Sequence, residues 1–383
     1  MRDVAIVGVG MTPVGEHWDQ SLRTLAADAI KAALANAGTN RVDTIVVGNA
    51  YGPTFSSQSQ LGALFADFSG LRGVEAMTVE AGDAAGGAAL RAGYMAVASG
   101  SVDRVLVVGA EKSADVVGAA RTEARTVSVD ADFESVHGAT LPALAALLMR
   151  RYMHEYGVDL AAFEGFSMNA HTNGKRNAHA MYRNTLRAGA FAKAPMVADP
   201  VSLFDGAPDG DGAAAVLLVP AEQAVDMVAQ PVMIAGSAAA TDTLALHDRA
   251  DLLHLAAVAV STERALYQAR ISREDVDLFE LHDAYTILSA LSLEAAGFAE
   301  RGAGWRMADE TITLEGRLPI STFGGLKSRG NPAGATGVYQ AAEAVLQLRS
   351  EAGENQVADA RVALIQNLGG VASTAVTHVL RRY

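Results

Sequence analysis

The chain has 383 residues, half of them hydrophobic, and 43 Asp and Glu against 30 Lys and Arg give a formal net charge of −13. That acidic balance, with no run of basic residues, argues against a surface that tracks nucleic-acid phosphates. The absence of any Cys excludes disulfides, thiolate metal sites and thiol nucleophiles together. A chain this long buries a large core, and its many Ala and Gly residues suit closely packed α/β layers.

In chain order, "DVAIVGVG" from Asp3 predicts a first strand that Gly and Pro soon break, too short for a membrane span, and a cytoplasmic protein is expected. "LRTLAADAIKAALANAG" predicts a helix from Leu22, with Gly38 where a left-handed cap falls; "VDTIVVGNA" from Val42 predicts the second strand. Then comes "EAGDAAGGAAL" over 80–90, a strand end, a tight turn and a helix start closed later by Gly100. Asp83 falls in that turn, where a carboxylate either caps the helix or enters a site, and both readings stand. "DRVLVVGAE" predicts another strand, completing the alternation of a layered sheet. From about 112 to 200 the texture changes to a long helical pattern and a polar stretch rich in His, Asn and Arg, as in an inserted loop domain carrying a site or lid.

The second half repeats the first. "VDTIVVGNAYG" matches "VDLFELHDAYT" from Val276, "VAIVGVG" matches "VMIAGSA" from Val232, "GDAAGGAAL" matches "GNPAGATGV" from Gly330, and "RVLVVGAE" matches "RVALIQNLGG" from Arg361. The order never changes and the offsets run from 228 to 257. A duplicated α/β unit follows, with halves at 1–225, including the loop domain, and 226–383. Asp83 and Asn331 would then face one another from two helix N-termini, a geometry that favours a carboxylate, a thioester oxygen or an enolate between them.

These segments resemble the thiolase superfamily, in its archaeal and sterol-carrier-protein branch, over essentially the whole chain. "GDAAGGAAL" is similar to the segment holding the acyl-accepting cysteine, "LHDAYT" to the His-Asp-x-Phe block, "GGLKSRGNPAGATGVYQ" to the Gly-His-Pro block and "ALIQNLGG" to the C-terminal glycine pair. "MVADPVSLFDGAPDGDGAAAV" closes the first half as in that branch. The resemblance implies two mixed five-stranded sheets, a homodimer, lipid metabolism, and a CoA thioester as substrate or ligand with no resident cofactor or metal. It also implies a small zinc-ribbon/OB-fold partner protein.

The departures carry as much. Asp83 stands where the family has its nucleophilic Cys, Asn331 replaces the His of Gly-His-Pro, and neither Ala284 nor Asn367 supplies a second Cys. A carboxylate is a weak nucleophile toward a thioester, so thiolysis through an acyl-enzyme is not expected, although acyltransferase is the family label. Asp83 could instead act as a base on a hydroxyl or water. His282 could donate to a thioester oxygen or move a proton, or could simply be satisfied by backbone. Asn331 could hold an oxyanion, or serve as a turn residue before Pro332. Asp283 could orient His282, and Tyr285, in place of Phe, reads as packing.

By resemblance the loop domain covers the CoA arm, with His137 and Asn169 near ligand, and Lys175, Arg176 or Arg183 as phosphate contacts or plain surface charge. Gly324, Gly325 and Gly330, with Gly334 and Gly337, would let backbone approach ligand or a neighbouring helix. The histidines of the insertion, His171 among them, match no zinc spacing. Three functions compete: a non-thiol C–C bond enzyme such as a retro-aldolase, a non-catalytic acyl-CoA-binding scaffold, and, weakly, a dinucleotide-binding domain suggested by "VGVGMTPVG", which has Pro13 where a third glycine belongs.

Overall fold

The computed structural model describes residues 2–383. In chain order its regular elements are β1 (Val4–Met11), α1 (Leu22–Asn36), β2 (Thr44–Gly48), α2 (Gly52–Phe55), α3 (Leu61–Phe68), β3 (Glu75–Val79), α4 (Ala85–Ser99) and β4 (Val105–Glu111). The insertion carries α5 (Ala119–Arg125), α6 (Leu141–Tyr156), α7 (Glu164–Arg176), β5 (Met196–Ala198) and β6 (Val201–Ser202). Then follow β7 (Gly212–Pro220), α8 (Ala221–Met227), β8 (Val232–Thr241), α9 (Ala256–Ala269), β9 (Leu278–Glu280), α10 (Thr286–Ala295), α11 (Thr336–Leu348), β10 (Val362–Gly369) and β11 (Thr374–Arg382).

The strands form one nine-stranded sheet in the order β3-β2-β4-β7-β1-β8-β11-β10-β9. From β3 inward to β1 the pairings are parallel, parallel, antiparallel, antiparallel. From β9 inward to β8 they are parallel, antiparallel, antiparallel. The second half therefore repeats the first with its outermost strand reduced to a single parallel bridge between Phe279 and Ile320. Pro319 supplies the carbonyl that the Phe279 N–H reaches at 2.9 Å, but it has no N–H of its own to extend a ladder. The mixed sheets of the two halves join edge to edge through a short antiparallel contact in which Ala5 and Ile6 of β1 meet Met233 and Val232 of β8. Because β1 is antiparallel to both neighbours, the parallel βαβ unit that a dinucleotide site requires is not built at Gly8 and Gly10.

Alternate residues on each strand feed different cores, as the pleat requires. Val4 and Ile6 of β1, with Val105 and Val107 of β4, face an inner core shared with α4, α11, β8 and β10. Ala5, Val7, Leu106 and Val108 face the outer core under α1 and α3. On α1 the buried residues recur at helical spacing, Leu22, Leu25, Ala26, Ala29, Ile30 and Ala33, so one face is covered. Almost every residue of α11 is buried, as suits a helix packed on all sides in the middle layer. α4 and α11 cross without side chains between them: a Cβ on Gly337 would stand 2.2 Å from the Gly87 nitrogen. The insertion packs on the second half, where Asn173 Nδ2 donates to the Ser321 carbonyl at 3.1 Å and Asn177 Nδ2 to that of Phe323 at 2.9 Å.

Candidate active site

The α4–α11 crossing brings the two turns preceding these helices together. Asp83 lies one residue before the N-cap position of α4, which is Ala84, and no side chain caps that helix. Its carboxylate, in a residue 3% exposed, turns instead toward three other segments. Oδ1 accepts from the Tyr51 hydroxyl at 2.7 Å; Oδ2 meets Arg125 Nη2 at 2.5 Å and Asn331 Nδ2 at 3.5 Å. The capping reading of Asp83 therefore does not describe its geometry. Burial pushes the Asp83 carboxyl up, but the Arg125 guanidinium and the hydrogen bonds from Tyr51 and Asn331 outweigh it and hold the group below its ordinary range.

Arg125, the last residue of α5, spans Asp83 and Asp209 and lies 5.4 Å over the Tyr51 ring. Burial, with the Asp83 charge, raises the Tyr51 phenol well above its ordinary value, so it remains a donor. Asn331 is oriented by Thr336, whose hydroxyl donates to Asn331 Oδ1 at 2.8 Å and leaves Nδ2 toward Asp83.

His282, two residues after β9, is fully buried and close enough for the Asp83 charge to act on it. Asn367 Oδ1 accepts from the Gly87 N–H at 3.0 Å, which turns Asn367 Nδ2 to donate to His282 Nδ1 at 3.1 Å. The imidazole proton then lies on Nε2, an atom with no protein partner among the described residues. Burial, helped by Arg125 and Arg329 and opposed by Asp83, pushes the His282 pKa down to about 4. It is a neutral donor at neutral pH.

Other expected residues lie elsewhere. Asp283 does not orient His282: its carboxylate accepts from the Leu326 N–H at 2.7 Å and Ser321 Oγ at 3.0 Å. The space over Gly324 is filled by Gly174 of α7, that over Gly325 by the Asp283 carboxylate, and that over Gly330 by Val14 and Met181. These three glycines permit protein-to-protein contact and do not border the cavity described next. Asn169 Nδ2 donates to the Ile320 carbonyl at 3.1 Å, a tie between α7 and the Phe279 bridge. His137, Lys175, Arg176 and Arg183 are exposed.

A largely apolar cavity of about 450 Å³ opens between the insertion and the second half, bordered by Leu186, Val201, Phe204, Pro208, Tyr285 and Lys327 among others. Tyr285 thus borders a cavity, which its reading as a packing residue does not include. Pro208 adjoins Asp209, Arg125's second partner, and accepts from the Asn331 N–H at 2.9 Å, so the cavity ends beside the Asp83 cluster. Asp83, His282 and Asn331 are not among the residues that border it. No group of His, Asp and Glu placed to hold a metal occurs among the described residues. No helix among them is long and apolar enough to cross a membrane.

Residues 4–186 match the model of the thiolase N-terminal domain, and residues 238–382 match the thiolase C-terminal domain-like model. The chain belongs to the thiolase family. It is 40% identical to an acetyl-CoA acetyltransferase of Methanothermobacter thermautotrophicus over the full length of both chains. It is 28% identical to human sterol carrier protein 2, covering 98% of this chain and 72% of that protein. Among solved structures, the Ltp2-ChsH2(DUF35) aldolase superposes with a TM-score of 0.87 at 25% identity, covering 99% of this chain and 97% of that one. The protein is a thiolase-like chain with no cysteine.

Motif blocks marked Asp83, His282 and Asn331, and Asn367 only as a position without a second Cys, whereas Tyr51 and Arg125 were not marked. Asn367 had a signal, its place before the C-terminal glycine pair. Arg125 had none, since α5 buries no residue and shows no apolar period.

Proposed function

We propose that this thiolase-family protein cleaves or forms a carbon–carbon bond beside a CoA thioester without an acyl-enzyme, for example by retro-aldol cleavage of a β-hydroxyacyl-CoA. The observation that carries this is the buried Asp83 where a thiol would stand, paired with Arg125, facing Asn331 Nδ2 and close to His282, whose Nε2–H has no protein partner. In the cleavage direction Asp83 takes the proton of the β-hydroxyl as that oxygen becomes a carbonyl. The bond between the α and β carbons breaks, its electron pair moves into the thioester enolate, and the α carbon then takes the proton back from the Asp83 carboxyl, which returns to carboxylate. His282 Nε2–H and Asn331 Nδ2–H are the donors for the enolate oxygen. Arg125 keeps Asp83 a weak base, which suits a proton that becomes strongly acidic only as the bond breaks. Its positive charge also offsets the cost of a carboxylate beside a forming enolate.

A second reading, an acyl-CoA-binding scaffold, is favoured by one observation: Asp83 is locked by Tyr51 and Arg125 and does not border the cavity. Under either reading we take the halves as 1–225 and 226–383 and the protein as a cytoplasmic homodimer, for which the exposed outer edge of β3 offers unpaired backbone groups. A zinc-ribbon/OB-fold partner belongs to the same proposal, in line with the likeness to the Ltp2-ChsH2(DUF35) aldolase.

The deciding experiment is turnover of a panel of β-hydroxyacyl-CoA thioesters, with and without such a partner, alongside acyl-CoA binding. The enzyme reading expects Asp83→Asn to lose at least about a hundredfold in kcat with binding retained. A wild-type protein that binds but turns over nothing on the panel overturns it in favour of the scaffold.

A further inference from the structure

Glu111, at the end of β4, is 1% exposed and has no cation beside it among the ion pairs of the described residues. Its neighbour Lys112 turns away to Asp211, which it meets at 3.1 Å. A buried carboxylate without a cation is tolerable only when N–H donors surround it. Oε1 accepts from Asn49 Nδ2 at 2.9 Å, Oε2 from the Ala50 N–H at 2.9 Å, and both from the Tyr51 N–H at 3.3 Å. The remaining donor comes from the other half of the molecule: the Gly334 N–H reaches Oε2 at 3.2 Å.

These donors lie on the two segments that flank Asp83. Tyr51 is the residue whose hydroxyl donates to Asp83, and Gly334 ends the corner that begins with Asn331. The segments touch directly, for a Cβ on Gly334 would stand 2.4 Å from the Ala50 nitrogen. We propose that Glu111 is a positioning residue of the Asp83 site, a carboxylate that clamps the Asn49–Tyr51 loop of the first half to the Asn331–Gly334 corner of the second and so sets both hydrogen bonds to Asp83.

The clamp needs the ionised form, because a protonated carboxyl gives up acceptor capacity that these donors use. Burial pushes the Glu111 pKa up to about 7, against the three backbone N–H groups and with a smaller push from Asp83. The titratable groups facing it are Asp83 from the turn before α4 and Tyr51 from the β2–α2 loop; the corner at 331–335 contributes none. Asp83 titrates below its ordinary range and Tyr51 well above its own, so a step near pH 7 at Tyr51 that Glu111→Gln abolishes belongs to Glu111. Below it the clamp loosens.

The proposal takes from the retro-aldol reading only that Asp83 is the working carboxylate, and its test reads Tyr51 without turnover. The full chain is labelled with 3-fluorotyrosine, and Tyr51→Phe assigns the Tyr51 fluorine resonance. In the wild type that resonance is expected to move with pH in a step with its midpoint near 7. In Glu111→Gln the step disappears, and Glu111→Asp, which keeps the charge on a shorter arm, restores a step at a changed midpoint. A Tyr51 resonance that titrates alike in wild type and Glu111→Gln, or shows no step between pH 5 and 9 on the order of one linewidth, overturns the assignment. Should Glu111→Gln fail to fold, the wild-type titration alone retains the power to refute it.

Discussion

A carboxylate that is 3% exposed keeps its charge only with partners, and Asp83 draws them from distant stretches of chain. Its replacement of the expected Cys was legible because it sits in a repeated block, and Asn331 was legible as its mate for the same reason. The charge balance was not. Arg125 lies 42 residues from Asp83 in the chain, on a short exposed helix, and only the folded insertion delivers its guanidinium. Removing one member of a buried pair strands the other, at about 3–5 kcal/mol. The Arg125 side chain keeps 14% of its surface exposed, so Arg125→Met is expected near the lower end, about 3 kcal/mol in urea unfolding. Asp83→Asn removes the charge that needs the cation. The double variant should therefore be more stable than the sum of the two single losses by at least about 1 kcal/mol. Strict additivity would show that Arg125 and Asp83 do not depend on one another.

At the scale of elements, the site depends on how closely α4 and α11 approach. The paired strings "GDAAGGAAL" and "GNPAGATGV" announced that contact: small residues at the start of both helices let backbone meet backbone. They could not announce that the second half lacks a full outer strand, because that depends on a segment of 3-10 turns leading to Pro319. Nor could they show that Asn367, on β10, would join Gly87 of α4 to His282. Gly337→Ala tests the approach. The added methyl would stand 2.2 Å from the Gly87 nitrogen and 2.4 Å from Asn367 Oδ1, and backbone cannot swing aside as a flexible side chain can. Overpacking of this kind costs about 1–3 kcal/mol, to be read as a lower urea midpoint with an unchanged slope. Gly15→Ala, whose new methyl meets nothing closer than 4.0 Å, is the control and should stay within about 0.5 kcal/mol of wild type. Equal losses at both positions would mean that the helices have room to separate.

Across the whole molecule, the duplication was legible because all four pairs of matching strings fall on equivalent elements: β1 and β8, β2 and β9, the corners before α4 and α11, and β4 and β10. What the strings hid is the charge buried between those elements. Arg329, fully buried, meets Glu343 at 2.9 Å, and that one guanidinium also faces Glu280 and Asp283. Burial, only partly countered by Thr322 and Arg329, pushes the Glu280 pKa from its ordinary 4.5 up to about 7. Burial likewise pushes Glu343 up to about 8. A carboxyl whose pKa is raised on folding contributes stability that is full below its unfolded value and lost as pH climbs through the folded one. For Glu280 that window runs from 4.5 to about 7, and the loss across it is on the order of 3 kcal/mol. The buried His282 and His378, both pushed down to about 4, act with the opposite sign, since the unfolded chain takes up their protons first as pH falls. Their effect is common to wild type and to Glu280→Gln, whose amide oxygen can still accept from the Thr322 N–H, and so it cancels when the two stability curves are subtracted. That difference should change in favour of Glu280→Gln between pH 4.5 and 7 by on the order of 3 kcal/mol in urea melts; parallel curves would mean that Glu280 is already charged at the acid end of the window.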